Sequence, residues 1–221
     1  MELSQYKYLI GNIAVIVTAL QFLSGIMICR KYISTKSTGE TSPLFFLFGL
    51  VSCIFWLRYG ILIHDRNIIL INAFGFILFT TYCAIFLLCT IKKMYTFKTY
   101  AIFLVIFLAT YLNIMADYDE NERINRLGFV ACIVTVLTIA APLSKLVHVI
   151  KVQSTEVLPF PTIIMSFLLS TAWFLYGIIQ EDTFLIVPNF IGGLLSTFQL
   201  LLFLIYPDTP TGPSQVKGSV A

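Results

Sequence analysis

The stretch Trp173-Phe174-Leu175-Tyr176-Gly177, followed by Asp182, Pro188-Asn189 and Gly192, has a twin earlier in the chain. Trp56-Leu57-Arg58-Tyr59-Gly60 is followed by Asp65, Asn72 and Gly75, and the differences 173−56, 176−59, 182−65, 189−72 and 192−75 all equal 117. Residues 53–82 and 170–199 align without a gap and share ten identities in thirty positions. A register held this long marks a duplicated unit, and an internal duplication constrains the fold more than any local propensity does.

Outside the twin stretches the sequence is apolar. Hydrophobic residues make up 58% and charged residues 11% of 221, with a mean hydropathy of +0.91, well outside the range of soluble domains. The net charge of +3 comes with no basic run interleaved with aromatics, so nucleic acid is not an expected partner. The five cysteines have no metal-type spacing, and no cofactor or metal is expected.

Seven runs approach the roughly 20 apolar residues needed to cross a ~30 Å hydrocarbon core. They cover about 8–29, 43–62, 68–91, 98–116, 127–148, 160–180 and 184–206. The segments after the odd-numbered helices carry Arg30, Lys31, Lys36, Lys92, Lys93, Lys98, Lys145, Lys151 and Lys217 against Glu40, Glu156 and Asp208. The other side carries Lys7, Arg58, Arg66, Arg123 and Arg126 against eight acidic residues. The positive-inside rule then predicts an extracellular or lumenal N-terminus and a cytosolic C-terminus.

The expected fold is an all-α integral membrane protein of seven helices, built 3+1+3. Residues 1–95 and 121–206 are the two triple-helix repeats, 96–120 a linker helix, and 207–221 a polar tail without fixed structure. Three helices would invert the second copy, and the fourth restores its direction, so the copies run parallel. Helix 1 matches helix 5 weakly, with Gly11 over Gly128 the clearest pair.

At these residues the chain resembles the SWEET family of sugar transporters, in which two parallel triple-helix bundles are joined by a linker helix. The resemblance rests on Lys36-Ser37-Thr38, Trp56–Gly60 with Asn72, Ser154-Thr155 with Pro159 and Pro161, and Trp173–Asn189, in order and at one offset. It implies a facilitative, bidirectional uniporter moving mono- or disaccharides by alternating access, a glucose-like hexose as substrate, the bilayer as surroundings and a homo-oligomer. It also implies a central pocket lined by Asn72, Asn189, Trp56 and Trp173. Tyr59 and Asp182 would close the extracellular side. Pro43, Pro142, Pro159 and Pro161 would form the cytosolic hinges, with Gly25 standing where helix 1 would have a proline.

The chemistry suits a neutral sugar. Asn offers two donors and an acceptor without charge, and indole offers a flat apolar plate and one N–H. Two Trp suggest a narrow slot favouring a monosaccharide over sucrose. Pro188 before Asn189, where the first repeat has Ile71, suggests a stronger bend in the second bundle. No helix carries a central Asp, Glu, Lys or Arg, which favours uniport over ion coupling. The competing readings are a carrier of another small neutral or zwitterionic solute, of the Pro-Gln-loop type, and a seven-helix receptor. A receptor would not show the duplication. No nucleophile–base pair stands inside the helices, so an enzyme is not expected. The membrane is expected to be the plasma membrane, with the Golgi or another endomembrane as the alternative.

Overall fold

The computed structural model describes residues 2–140 and 143–206. The elements among these residues are all helices: α1 (Glu2–Thr35), α2 (Leu44–Leu62), α3 (Arg66–Cys89), α4 (Lys93–Met115), α5 (Glu120–Ala140), α6 (Leu143–Val152), α7 (Phe160–Gln180) and α8 (Thr183–Ile205). Six of these are long and apolar enough to cross a membrane. The expected fifth span, 127–148, is divided between α5 and α6, and α5 starts in the acidic turn at Glu120. The polar first turn with Glu120 and Glu122 carries the helix beyond its apolar run, as acidic residues do at a helix start. The first helix also outgrows its apolar core of 8–29; its 34 residues rise about 51 Å at 1.5 Å each. The tail from 207 onward and Pro142 lie outside the described residues.

Packing sorts the helices into two bundles. α3 packs between α1 and α2, and α8 packs between α5 and α7. The bundles meet along two seams, α1 against α7 and α2 against α5. Adding 117 carries residues 3–23 of α1 into α5, residues 26–35 into α6, and all of α2 into α7, so the seams exchange under the repeat. The four non-glycine residues with left-handed backbone obey the same rule: Lys36 (φ 50°) pairs with Gln153 (φ 56°), and His64 (φ 56°) with Glu181 (φ 57°). Duplicated sequence has therefore kept even the costly backbone turns.

The two faces of the molecule differ. On the face that carries Asp65 and Asp182, one apolar cluster joins both bundles, including Ala14, Trp56, Tyr59, Ala131, Trp173 and Tyr176. On the opposite, lysine-bearing face each bundle has its own cluster: Cys29, Tyr32, Phe46, Tyr82 and Phe86 in one, Leu146, Val149, Ile163 and Leu202 in the other. The bundles are joined at the aspartate face and separately packed at the lysine face. Large apolar side chains such as Leu204 (82% exposed) point outward, as hydrocarbon surroundings allow.

α4 belongs to neither bundle. Only Thr96 and Ile114 of its residues are buried. Edge-to-face contacts of Phe103 with Phe48 and Phe107 with Phe55, and Arg126 on Asp117 and Asn113, tie it to α2 and α5.

Gly25 has a packing role that the sequence reading did not assign. The Tyr82 ring lies where a Cβ would sit, 2.5 Å from it, and the Tyr82 hydroxyl donates to the Phe22 carbonyl at 3.0 Å. α1 runs through Gly25, and this glycine admits the Tyr82 ring. Gly25→Val must push Tyr82 out of the fully packed first bundle and should destabilise by about 1–3 kcal/mol, the usual scale of overpacking. A detergent melt compared with Gly25→Ala, which intrudes less, measures it.

Candidate functional site: a central polar layer and its latches

The repeated Trp-x-x-Tyr-Gly stretch builds a tight helix hairpin in each bundle. Gly60 and Gly177 let the next helix approach; a Cβ there would lie 2.8 Å from Ile68 and 2.9 Å from Leu185. Left-handed His64 and Glu181 then turn the chain, as glycine more commonly does. Asp65 and Asp182 start α3 and α8. Asp65 Oδ1 accepts from the backbone N–H of Asn67 (2.9 Å) and Ile68 (3.0 Å), and Asp182 Oδ1 from Phe184 (2.9 Å) and Leu185 (3.3 Å). This is helix N-capping, with orphan amide donors satisfied by a side-chain oxygen.

The other oxygen of each carboxylate reaches across to the opposite bundle. Tyr59 donates to Asp182 Oδ2 at 2.8 Å, and Tyr176 to Asp65 Oδ2 at 2.7 Å. The first pair is the one expected from the sequence; the second is its repeat mate. These four residues line the floor of a cavity of about 1070 Å³ on the aspartate face, together with Asn12, Asn67, Asn125 and Gln180.

Below the tyrosines lie the two tryptophans, each edge-to-face with its own Tyr at 5.5 and 5.6 Å. Their N–H groups are already occupied. Trp56 Nε1 donates to Thr135 Oγ1 at 2.9 Å, and Trp173 Nε1 to Thr18 Oγ1 at 2.8 Å. The expectation that each indole offers its N–H to a ligand is therefore corrected in this conformation, since a buried N–H is satisfied by whatever acceptor lies closest. Thr18 and Thr135 in turn donate to Ala14 and Ala131, four residues back. The sequence reading missed both threonines, although 135−18 and 131−14 equal 117. Across residues 11–20 and 128–137 six of ten positions are identical, so helix 1 matches helix 5 better than the glycine pair alone suggested.

Thr18→Val and Thr135→Val leave an indole N–H without its partner, a cost of about 1–3 kcal/mol for a buried donor. Because the chain contains two Trp and both sit in this layer, its intrinsic Trp fluorescence reports on nothing else. Each Val variant should shift the emission; an unchanged spectrum would mean the indoles do not depend on these hydroxyls.

Asn72 and Asn189 occupy equivalent positions on α3 and α8. Each turns its amide nitrogen back to its own helix, Asn72 to the Ile68 carbonyl and Asn189 to the Leu185 carbonyl, both at 2.8 Å. One N–H and the carboxamide oxygen of each remain for another partner. α8 continues through Pro188 without interruption.

Three of the four expected prolines lie at helix starts on the lysine side. Pro43 and Pro159 precede α2 and α7 at their N-cap positions, and Pro161 lies in the first turn of α7. An N–H missing there costs nothing, because the first turn has no intrahelical acceptor for it. These prolines start helices and do not break them. Among the described residues the proline inside a helix is Pro188.

The repeat seen in the sequence and in the geometry is also present in known proteins. A family model described as "Sugar efflux transporter for intercellular exchange" matches the chain twice, at residues 8–94 and 125–211, and 125−8 and 211−94 are again 117. The sugar transporter SWEET1 of Drosophila pseudoobscura pseudoobscura is 46% identical over 202 residues, covering 90% of this chain and 89% of its own length. The chain belongs to the SWEET family. The SWEET1 of Xenopus tropicalis is 33% identical over 207 residues, covering 93% of this chain and 97% of its own length. A solved structure of a eukaryotic SWEET transporter superposes with a TM-score of 0.84 at 24% identity, covering 92% of this chain and 98% of its own. That likeness supports the SWEET fold of two parallel bundles and a linker helix.

Asp182 lies in the turn between α7 and α8, and burial raises its carboxyl above the ordinary value although Tyr59 and two backbone amides pull the other way. The joined state therefore holds a proton more tightly than a solvated carboxylate would. The contribution to joining is present at low pH and is lost as pH rises through the raised value. Lowering the pH at the aspartate face toward the carboxylate range should reduce access to the central layer from that side, measured by the rate at which a membrane-impermeant thiol reagent reaches an introduced cysteine. Faster reaction at low pH would reverse the assignment.

Proposed function

We propose that this protein is a facilitative, bidirectional sugar carrier in which the bundles rock about a central layer of Asn72, Asn189, Trp56 and Trp173. The observation that carries the reading is the asymmetry of closure. Side-chain bonds between bundles run from the two Tyr–Asp pairs through the two Trp–Thr pairs to Gln21 and Ser166, whose amide and hydroxyl lie 3.4 Å apart. On the lysine side of that level each bundle instead packs its own apolar cluster, Cys29, Tyr32 and Phe46 in one and Leu146, Val149 and Leu202 in the other. With the lysine face cytosolic, this conformation is closed outward and parted inward, one end of an alternating-access cycle.

The relatives support the solute. Two are named sugar transporters SWEET1, and a relative from Arabidopsis thaliana, 29% identical, is named bidirectional sugar transporter SWEET17. Neutral amides beside indoles fit a hexose, whose hydroxyls need uncharged partners and whose ring faces need apolar plates. Tyr59 and Asp182, with Tyr176 and Asp65, act as the outer latch. Pro43, Pro159 and Pro161 sit at helix starts on the inner side, where they fix the directions in which helices leave their loops. We assign the plasma membrane as the site of action and leave the assembly as a homo-oligomer of such carriers.

The test is transport by the purified protein in liposomes. Labelled glucose should equilibrate in either direction without a proton gradient, and excess unlabelled glucose inside should accelerate uptake. Sucrose should compete poorly. Uptake that follows an imposed pH gradient, or that is inhibited by amino acids and not by hexoses, would overturn the reading.

A further inference from the structure

The two seams are related by the repeat, yet their polar ties are not. On the α3/α7 side the Tyr176–Asp65 bond is reinforced. Gln180 Nε2 lies 2.6 Å from Asp65 Oδ2 and 3.3 Å from the Tyr176 oxygen, and Asn67 Nδ2 donates to the same Tyr176 oxygen at 3.2 Å. The residues equivalent to Gln180 and Asn67 are Ile63 and Phe184, since 180−63 and 184−67 equal 117. The Tyr59–Asp182 bond therefore has no amide beside it. Phe184 instead meets Tyr59 edge-to-face at 5.9 Å.

The same inequality recurs deeper in the membrane. Gln21 on α1 and Ser166 on α7 form a cross-bundle pair, whereas their equivalents are Thr138 and Gly49. Gly49 has no side chain to offer, and Thr138 bonds back to the carbonyls of Val134 and Thr135 in its own helix. Asp65 is also the more deeply buried aspartate, at 6% exposure. Four positions thus place three amides and a hydroxyl across one seam, where the other has Ile63, Phe184, Gly49 and a Thr138 bonded within its own helix.

We propose that the outer latch opens on one side only: Gln180 and Asn67 are positioning residues that keep α3 and α7 together as the pivot, while Tyr59 and Asp182 part and admit solute between α2 and α8. This rests on the carrier reading above. α4 lies over the opening seam, but with Thr96 and Ile114 as its buried residues it is held weakly enough to follow α2 or α5. The repeat supplies the control. Phe184 already fits against Gly128, and Asn67 occupies the matching place against Gly11, so exchanging the two residue types between repeats has a steric precedent in the same molecule.

Spin labels at repeat-equivalent exposed positions test it on the full chain in nanodiscs. Ile61→Cys with Thr183→Cys spans the Tyr59–Asp182 side, and Ile178→Cys with Arg66→Cys spans the other. The background replaces the five native cysteines and retains glucose uptake. With glucose present, the first pair should show a second, longer distance and the second pair a single short one. Gln180→Ile with Asn67→Phe should give the second pair a long component as well, at least threefold more populated than in the parent. Ile63→Gln with Phe184→Asn should suppress the long component of the first pair and slow uptake roughly tenfold, without changing glucose affinity from the lysine side. A role in folding alone would not move the opening from one pair to the other. Equal opening of both pairs in the parent, or opening of the second pair alone, overturns the one-sided latch. Absence of any long component at either pair, even with Asp182→Ala added, would overturn the latch itself.

Discussion

Asn72→Ala with Asn189→Ala should abolish saturable glucose uptake while the protein still folds and reaches the membrane. Each amide retains one N–H and one carboxamide oxygen after its other N–H has bonded the carbonyl four residues back at 2.8 Å. A net hydrogen bond contributes about 0.5–1.5 kcal/mol, and a millimolar ligand is held by only about 4 kcal/mol, so losing two readers removes a large share of the affinity. Roughly tenfold weaker binding from each variant, and about a hundredfold from both, is the expected result, read by counterflow in liposomes. The isosteric Asn72→Asp is the sharper control. It sets a carboxylate oxygen against the Ile68 carbonyl in place of an N–H, so it should lose activity and also destabilise α3. Normal uptake by the double Ala variant would move the solute site away from this layer.

Asp182→Ala should open the outer side. The substitution removes one oxygen that caps α8 and one that accepts from Tyr59. Cap loss costs about 1 kcal/mol, and a hydrogen bond to a charged group contributes about 1.5–3 kcal/mol. Outward exposure should therefore rise by roughly one to two orders of magnitude, seen as faster labelling of a central cysteine from the aspartate side. Net uptake should fall, because a carrier biased to one end of its cycle returns slowly. Tyr59→Phe separates the two contributions. It breaks the latch and spares the cap, so it should reproduce the labelling change with a smaller loss of thermal stability. Identical labelling in parent and both variants would remove Asp182 from the latch.

Much of this arrangement could be read from residue order because the duplication writes it twice. Trp, Tyr, Gly, Asp and Asn at one offset fix which helices correspond, and correspondence with an odd linker fixes the parallel direction of the bundles. Thr18 and Thr135 escaped notice for a physical reason: a threonine in an apolar helix usually satisfies its hydroxyl on its own backbone, and these do so as well. Their second role appears only when the opposite bundle brings an indole to them. Sequence alone does not set a helix boundary to within a residue or two, and at Pro43, Pro159 and Pro161 that margin separates a proline inside a helix from one at its start. Gly25 stood out in sequence only as the residue in place of a helix 1 proline, because the ring that it admits, Tyr82, lies two helices away.

The division of labour within each aspartate has a thermal consequence. One oxygen holds its own helix and the other holds the neighbouring bundle, so parting Tyr59 from Asp182 breaks a single bond and leaves the start of α8 clamped. Motion at the latch is thereby insulated from fraying at α3 and α8. The frequency of opening and the melting of the scaffold should then respond independently to temperature, with the working rate changing steeply over a range in which amide exchange at the starts of both helices hardly changes.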